Sequence, residues 1–390
     1  MSFLSSRITS SSKKSYGMFA KAAAIADRDL IHLELGMPVH DTPDFIKDAT
    51  IAALKAGDVH YSSFQGQPAL RAALAEKITR FNAVPVDAGQ VLVTNGLTQA
   101  SYAAFMATIN PGDEVILLDP YYPQHVGKIE LCGGKVVLVP LDAENDFALR
   151  ADWIAAKVTE KTRAVVLVNP CNPTGRIYTR EELEALAEVA IRHNLVVISD
   201  EVYEYITFDG HAHISIAALP GMAERTITLS AFTKAYAMDG WRIGYAFASA
   251  ELIGGMSKIV TNEVTHVNTF IQAGALAAVT GGDEAVAHMV GDDRAKRDIV
   301  VRAMNQMPGV TCMPPQGTIY AFPCVRETGL SSQELADRIL DECGVVVEAG
   351  SFYGAAGEGY LRVCFGSQSA ERIGEAMERL RGFFSGLKAA

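Results

Sequence analysis

Residues 226–245 read TITLSAFTKAYAMDGWRIGY. Ile227 and Leu229 belong to a strand-like apolar run that leads into Lys234. Small, hydroxyl and aromatic residues surround that lysine, and between Thr226 and Gly240 the only other charge is Asp239. Arg242 follows eight positions after the lysine, inside Gly-Trp-Arg-Ile-Gly. Burial in such a setting disfavours an ammonium ion and lowers its pKa. A neutral amine is the form that Schiff-base chemistry requires. The plain alternative is a lysine that snorkels out of an apolar neighbourhood to water.

Outward from this stretch the chain alternates strands and helices. Val91–Thr94 predicts a short strand, Asn95-Gly96 a turn, and Leu97–Thr108 a helix. A strand, a glycine turn and a helix N-terminus together make an anion site, because free N–H groups and the helix dipole both favour negative charge. Thr98 adds a hydroxyl there. Val115–Leu118 predicts the next strand, followed by DPYYPQH with Tyr121 and Tyr122 as candidate stacking rings. Val136–Val139 and Arg163–Val168 predict two more, the second almost wholly apolar, as in a parallel sheet covered on both faces. The latter ends in NPCNPTG, where Asn-Pro pairs favour a turn at the strand's carboxyl end. Thr179 and Glu182 form a capping box for a helix whose buried stripe is Leu183, Leu186, Ala187 and Ala190. Leu195–Ser199 predicts a strand that delivers Asp200, at the end where open α/β sheets bind ligands.

The flanks carry weaker signals. HLELGMPVHDTP, residues 32–43, is a short apolar segment interrupted by Gly36 and Pro38. Helices are predicted over Phe45–Ala56 and Gln67–Ile78, with Tyr61 between them. Beyond Tyr245, helices are predicted over Ile271–Val279 and His288–Met304. GTIYAFPCV, VVVEAGSFYG and the alternating GYLRVCFG suit short strands of an α+β unit. Arg362 lies in the last of these.

Composition narrows the class. The apolar fraction of 49% and charged fraction of 20% describe a soluble globular protein. A net charge of −11 argues against a nucleic-acid binder, which needs basic surface. No apolar run is long enough for a transmembrane helix. The serine-rich, basic N-terminus reads as an ordinary arm rather than a transit peptide. None of the six cysteines forms a C-x-x-C pair or has zinc-ligand spacing, so they read as reduced thiols of a cytoplasmic protein. No G-x-G-x-x-G opens a helix, which removes the main evidence for a nicotinamide-binding fold.

The spaced segments resemble the class I/II aminotransferases, which use pyridoxal 5′-phosphate on the fold-type I scaffold. The resemblance runs from Gly36 to Arg362 in the family's order. It makes Lys234 the Schiff-base and catalytic lysine, and Arg242 a phosphate ligand. It assigns the phosphate cup to Gly96, Leu97 and Thr98 with Thr233, and the stacking ring to Tyr122. Asn172 and Tyr203 are implied partners of the cofactor's 3-oxygen, and Asp200 of its pyridine nitrogen. Gly36, Asn172 and Arg362 are implied substrate contacts, with Arg362 on the carboxylate. Tyr61 is implied to cross to the neighbouring subunit and touch its cofactor phosphate. One departure stands out: the family's serine three residues before the lysine is Ala231 here, with Ser230 and Thr233 beside it.

The expected fold is α/β: a large domain over 46–284 with a mostly parallel seven-stranded sheet, and a smaller α+β domain from 1–45 and 285–390. A homodimer with shared sites follows from the resemblance, as does ping-pong transfer between an L-amino acid and a 2-oxo acid. Aspartate-selective bacterial members often carry lysine where Thr98 sits, which speaks against a dicarboxylate specialist. Two rivals share the scaffold: a β-eliminating carbon–sulfur lyase, and a non-catalytic regulator or binding module.

Overall fold

The computed structural model describes residues 3–10, 17–25 and 28–387. Residues 11–16 of the serine-rich arm lie outside that set. Seven strands form the central sheet: β2 (Val91–Thr94), β3 (Glu114–Asp119), β4 (Lys135–Pro140), β5 (Thr162–Val168), β6 (Val196–Asp200), β7 (Thr226–Ala231) and β8 (Gly244–Phe247). Their spatial order is β2-β8-β7-β6-β5-β3-β4. Only β8 runs against the rest, pairing antiparallel with both β2 and β7.

The apolar strands are apolar because both faces are covered. Ile116, Val165, Leu167 and Val197 pack on one side with Leu183, Leu186 and Ala190 of the helix Arg180–Arg192. Their neighbours Val115, Leu117, Ala164, Val166 and Ile198 point the other way. There they meet Ala100, Ala103 and Ala104 of the helix Gly96–Thr108, and Ile253 and Met256 of the helix Ala250–Glu263. Helix Arg180–Arg192 starts at the capping box read from the sequence: Thr179 Oγ1 accepts from the Glu182 amide at 3.2 Å, and the Thr179 amide donates to Glu182 Oε2 at 2.7 Å.

A separate core joins the two ends of the chain. β1 (Ile31–His32) pairs in parallel with β10 (Val345–Val346), and β11 (Glu348–Ala349) and β9 (Tyr320–Ala321) flank β12 (Leu361–Cys364) in antiparallel register. Met18, Leu33, Val346, Leu361 and Val363 share this core with the helices Asp283–Met304, Ser332–Cys343 and Ala370–Gly386. Three expectations need correction here. The helix expected from His288 begins at Asp283, just after Gly282, with Asp283 and Glu284 favouring its N-terminal dipole. GTIYAFPCV contributes a named strand only at Tyr320–Ala321, since Pro323 cannot donate to a ladder. β12 does not alternate between core and water; all four of its residues, Arg362 included, are buried.

Candidate active site

The carboxyl ends of the parallel strands meet along one edge of the sheet, the place where open α/β folds bind ligands. β6 ends on Asp200, and β7 ends three residues before Lys234. Because β8 is reversed, its first residue, Gly244, lies at this same edge, opposite Thr94 of β2 and Ala231 of β7. Arg242, with φ +54°, therefore arrives beside the helix that begins at Gly96. Gly96 is needed twice over: its φ is +77°, and a Cβ there would stand 2.6 Å from Arg242 Nη2.

A cavity of about 780 Å³ occupies this edge. Gly36, Leu97, Thr98, Tyr122, Asp200, Tyr203, Thr233, Lys234, Arg242 and Arg362 all line it. Asn172 stands behind the wall, accepting from Arg362 Nη1 at 3.3 Å. Tyr122, not Tyr121, faces the cavity. Ser230 turns away and donates to Glu204 at 2.9 Å, leaving Thr233 as the hydroxyl beside the gap at Ala231. Tyr61 is not on this wall: it is 88% exposed and touches the His266 ring edge-on at 5.4 Å.

Charge is arranged by burial. The Lys234 amine, half-buried on the cavity wall, donates to the Gly36 carbonyl. Desolvation lowers its pKa to about 8, and the Arg362 and Arg242 charges push the same way. Asp200 is buried; its Oδ1 accepts from the Val202 amide at 3.3 Å, and its Oδ2 lies 3.4 Å from His125 Nε2. Among the described residues, no lysine or arginine reaches it within ion-pair distance. Arg362, 6% exposed, is clamped between the rings of Tyr320 at 4.3 Å and Tyr353 at 4.7 Å. It donates to the Glu34 carbonyl, its Nε has no partner, and no described carboxylate pairs with it. A buried guanidinium without a counter-ion is a receptor for a carboxylate. Tyr203 and Tyr320 share a hydrogen bond of 2.8 Å at the same wall.

Residues 28–380 match the sequence pattern of the family described as aminotransferase class I and II. The chain belongs to this aminotransferase family. It is 40% identical over 358 residues to an aspartate aminotransferase of Pyrococcus abyssi, covering 90% of this chain and 91% of that protein. It is 39% identical over 352 residues to an arginine–pyruvate transaminase of Pseudomonas aeruginosa, covering 90% and 89%. The aspartate aminotransferase of Thermus thermophilus has the same fold, with a TM-score of 0.92 at 34% identity over 98% of this chain and all of that one. The aminotransferase thus transfers amino groups between amino acids and 2-oxo acids, with pyridoxal 5′-phosphate as cofactor. The lyase and regulator alternatives give way to this activity.

The residues present fit that cofactor. The helix start at Gly96 with Thr98 and Arg242 offers an anion site, and the buried carboxylate of Asp200 offers a partner to a cationic ring nitrogen. The amine of Lys234 lies in the same cavity.

Several wall residues escaped the sequence reading: Glu34, Lys128, Glu348, Tyr320 and Tyr353. His125, beneath Asp200, was passed over too, although it sits one turn after Tyr122 on a helix opened by Pro123. That spacing was the available signal.

The lowered lysine pKa gives a prediction. Covalent capture of the cofactor by the apoprotein needs the neutral amine, of which about a tenth is present at pH 7 and about half at pH 8. The capture rate, followed by absorbance, should rise steeply from pH 6 and level above pH ~8.5. A rate still climbing at pH ~10 would mark an ordinary solvated lysine.

Proposed function

We propose that this aminotransferase is a homodimer in which each site is completed by Tyr61 of the other subunit, with the roles read from the sequence. The observation that carries the reading is the convergence of Lys234, Asp200, Arg242 and Arg362 on one cavity. Pyridoxal 5′-phosphate, when bound, supplies an electron sink for the pair released as the donor's Cα–H bond breaks. Gly96, Leu97, Thr98, Thr233 and Arg242 would hold its phosphate. Tyr122 would stack on its ring, Asn172 and Tyr203 would donate to its 3-oxygen, and Asp200 would keep its nitrogen protonated. Arg362, steadied by Asn172, fixes the donor carboxylate, and Gly36 leaves room for the backbone to approach. Lys234 Nζ then takes the proton from Cα; its pKa of about 8 suits a base at neutral pH.

Residues 46–284 form the cofactor-binding domain of this reading, and 1–45 with 285–390 the smaller one. The shared core of Met18, Leu33, Val346 and Leu361 supports that division. The cysteines, all free, suit a reducing cytoplasm. No helix among the described residues is long and apolar enough to cross a membrane. The relatives' names span an acidic and a basic donor, so donor choice rests on the side chains of this cavity.

The exposure of Tyr61 supports a role outside its own chain's cavity. Mixing inactive Lys234→Ala chains with weak Tyr61→Phe chains tests it. Hybrid dimers should regain activity, because one of their two sites carries neither lesion. Hybrids that form, as shown by mass, yet are no more active per intact Lys234 than the Tyr61→Phe dimer would contradict the shared site.

A further inference from the structure

Once Lys234, Asp200, Arg242 and Arg362 have their roles, two carboxylates on the cavity wall remain unused: Glu34 and Glu348. Glu34, two residues before Gly36, is 3% exposed. Its Oε1 lies 2.8 Å from His32 Nδ1, and its Oε2 is buried with no partner. Glu348 stands opposite Arg362 in the β11–β12 register and is 4% exposed. Among the described residues its oxygens accept backbone amides alone, from Met18 at 3.1 and 3.3 Å and from Ala349 at 3.1 Å. No described lysine or arginine is within ion-pair distance of either side chain. Burial raises the Glu348 carboxyl to about 7; Arg362 opposes the rise and Glu34 adds to it.

Charge balance decides what can enter. The donor's α-carboxylate takes up Arg362, which stands opposite Glu348 in the β11–β12 register and donates to the Glu34 carbonyl. The other unassigned cation on the wall, Lys128, serves the opposite side: it follows His125 by one helical turn, donates to Ser101 Oγ at 2.6 Å, and the carboxylate it faces is Asp200. A neutral donor leaves Glu34 Oε2 without a partner among the described residues, the His32 ring being on Oε1, and an acidic donor adds a further negative charge beside Glu34 and Glu348. A cationic side chain supplies the missing charge and the N–H donors that Glu34 Oε2 lacks. We infer that the preferred amino donor carries a cationic side chain, received by Glu34 and Glu348. This rests on Arg362 as the ligand of the donor's α-carboxylate.

Matched donors that differ in charge but little in shape test it: L-lysine against L-norleucine, and L-arginine against L-citrulline. The wild-type enzyme should favour the cationic member of each pair by tenfold or more in kcat/KM. Glu34→Gln keeps the shape and removes the charge, and should lower that ratio at least tenfold; Glu348→Gln should lower it in the same sense. The holoenzyme should also bind 5-guanidinopentanoate, which has no amine to react, more tightly than heptanoate. A wild-type ratio near one, or a preference for L-aspartate, overturns the inference. So does an equal loss of both members of a pair in Glu34→Gln, which would make Glu34 a support for Arg362. Failure of the underlying reading looks different: Arg362→Leu would then spare every donor, whereas its expected effect is a loss shared by all of them.

Discussion

Lys234→Ala should lower transamination by at least about ten-thousandfold, the upper range for loss of a positioned acid–base group. Among the described residues, no other lysine combines this cavity, this contact with the Gly36 carbonyl, and a pKa lowered to about 8 without a carboxylate in pairing distance. Lys128 has a similarly lowered pKa, but it is tied to Ser101 on the Asp200 side. Borohydride reduction of the wild-type holoenzyme followed by peptide mapping reads the assignment directly, and the label should fall on the peptide that carries Lys234. Lys234→Arg keeps the charge and much of the bulk but cannot supply a neutral amine, so it should be as inactive while remaining folded. A label on any other lysine sinks the assignment.

Arg362→Leu should lower kcat/KM by about a hundredfold or more for every amino donor. Truncating one member of a buried, hydrogen-bonded charge pair costs roughly 2–5 kcal/mol, and each ~1.4 kcal/mol is a factor of ten. The guanidinium is held by the Tyr320 and Tyr353 rings, Asn172 and the Glu34 carbonyl, so its position is set before a substrate arrives. Leucine removes the charge, the donors and the guanidinium's stacking between the two rings, and leaves an apolar side chain in the wall. Absorbance of the bound cofactor should stay unchanged, because the proposed role of Arg362 is on the donor carboxylate and not on the cofactor. A donor-selective loss, or a loss of cofactor, would place Arg362 elsewhere in the mechanism.

Much of this site was readable before the fold was known. Lys234, Asp200 and Gly96 end or follow strands whose apolar runs are unmistakable, and strand ends in a parallel sheet converge whatever the details. The bounds of β2 match those read from its sequence, because Val91–Thr94 sits between a capped turn and Asn95-Gly96. What stayed hidden depends on partners far away in the chain. The resemblance assigned Arg362 to the donor carboxylate, but by its pattern alone LRVC carries an outward charge, and its burial comes from the distant Tyr320 and Tyr353 rings. Glu348 becomes part of the site only through its register with Arg362. Ser230 looked available to a phosphate, yet Glu204, held by Lys77 at 2.6 Å, draws it the other way. Tyr61 had no legible contact because, in one chain, its ring meets only the edge of His266.

The reversed strand β8 has a consequence for how such a protein can diverge. The loop 232–243 carries both Lys234 and Arg242 and is pinned at its two ends by a single strand pair, Ala231 against Gly244. Amine and guanidinium are therefore carried on one short closed span, and no crossover helix intervenes to let their spacing drift. The donor-side groups come from elsewhere: Glu34 follows β1, while Glu348 and Arg362 sit on a different sheet. Substitutions that retune donor choice can accumulate there without disturbing the spacing of Lys234 and Arg242.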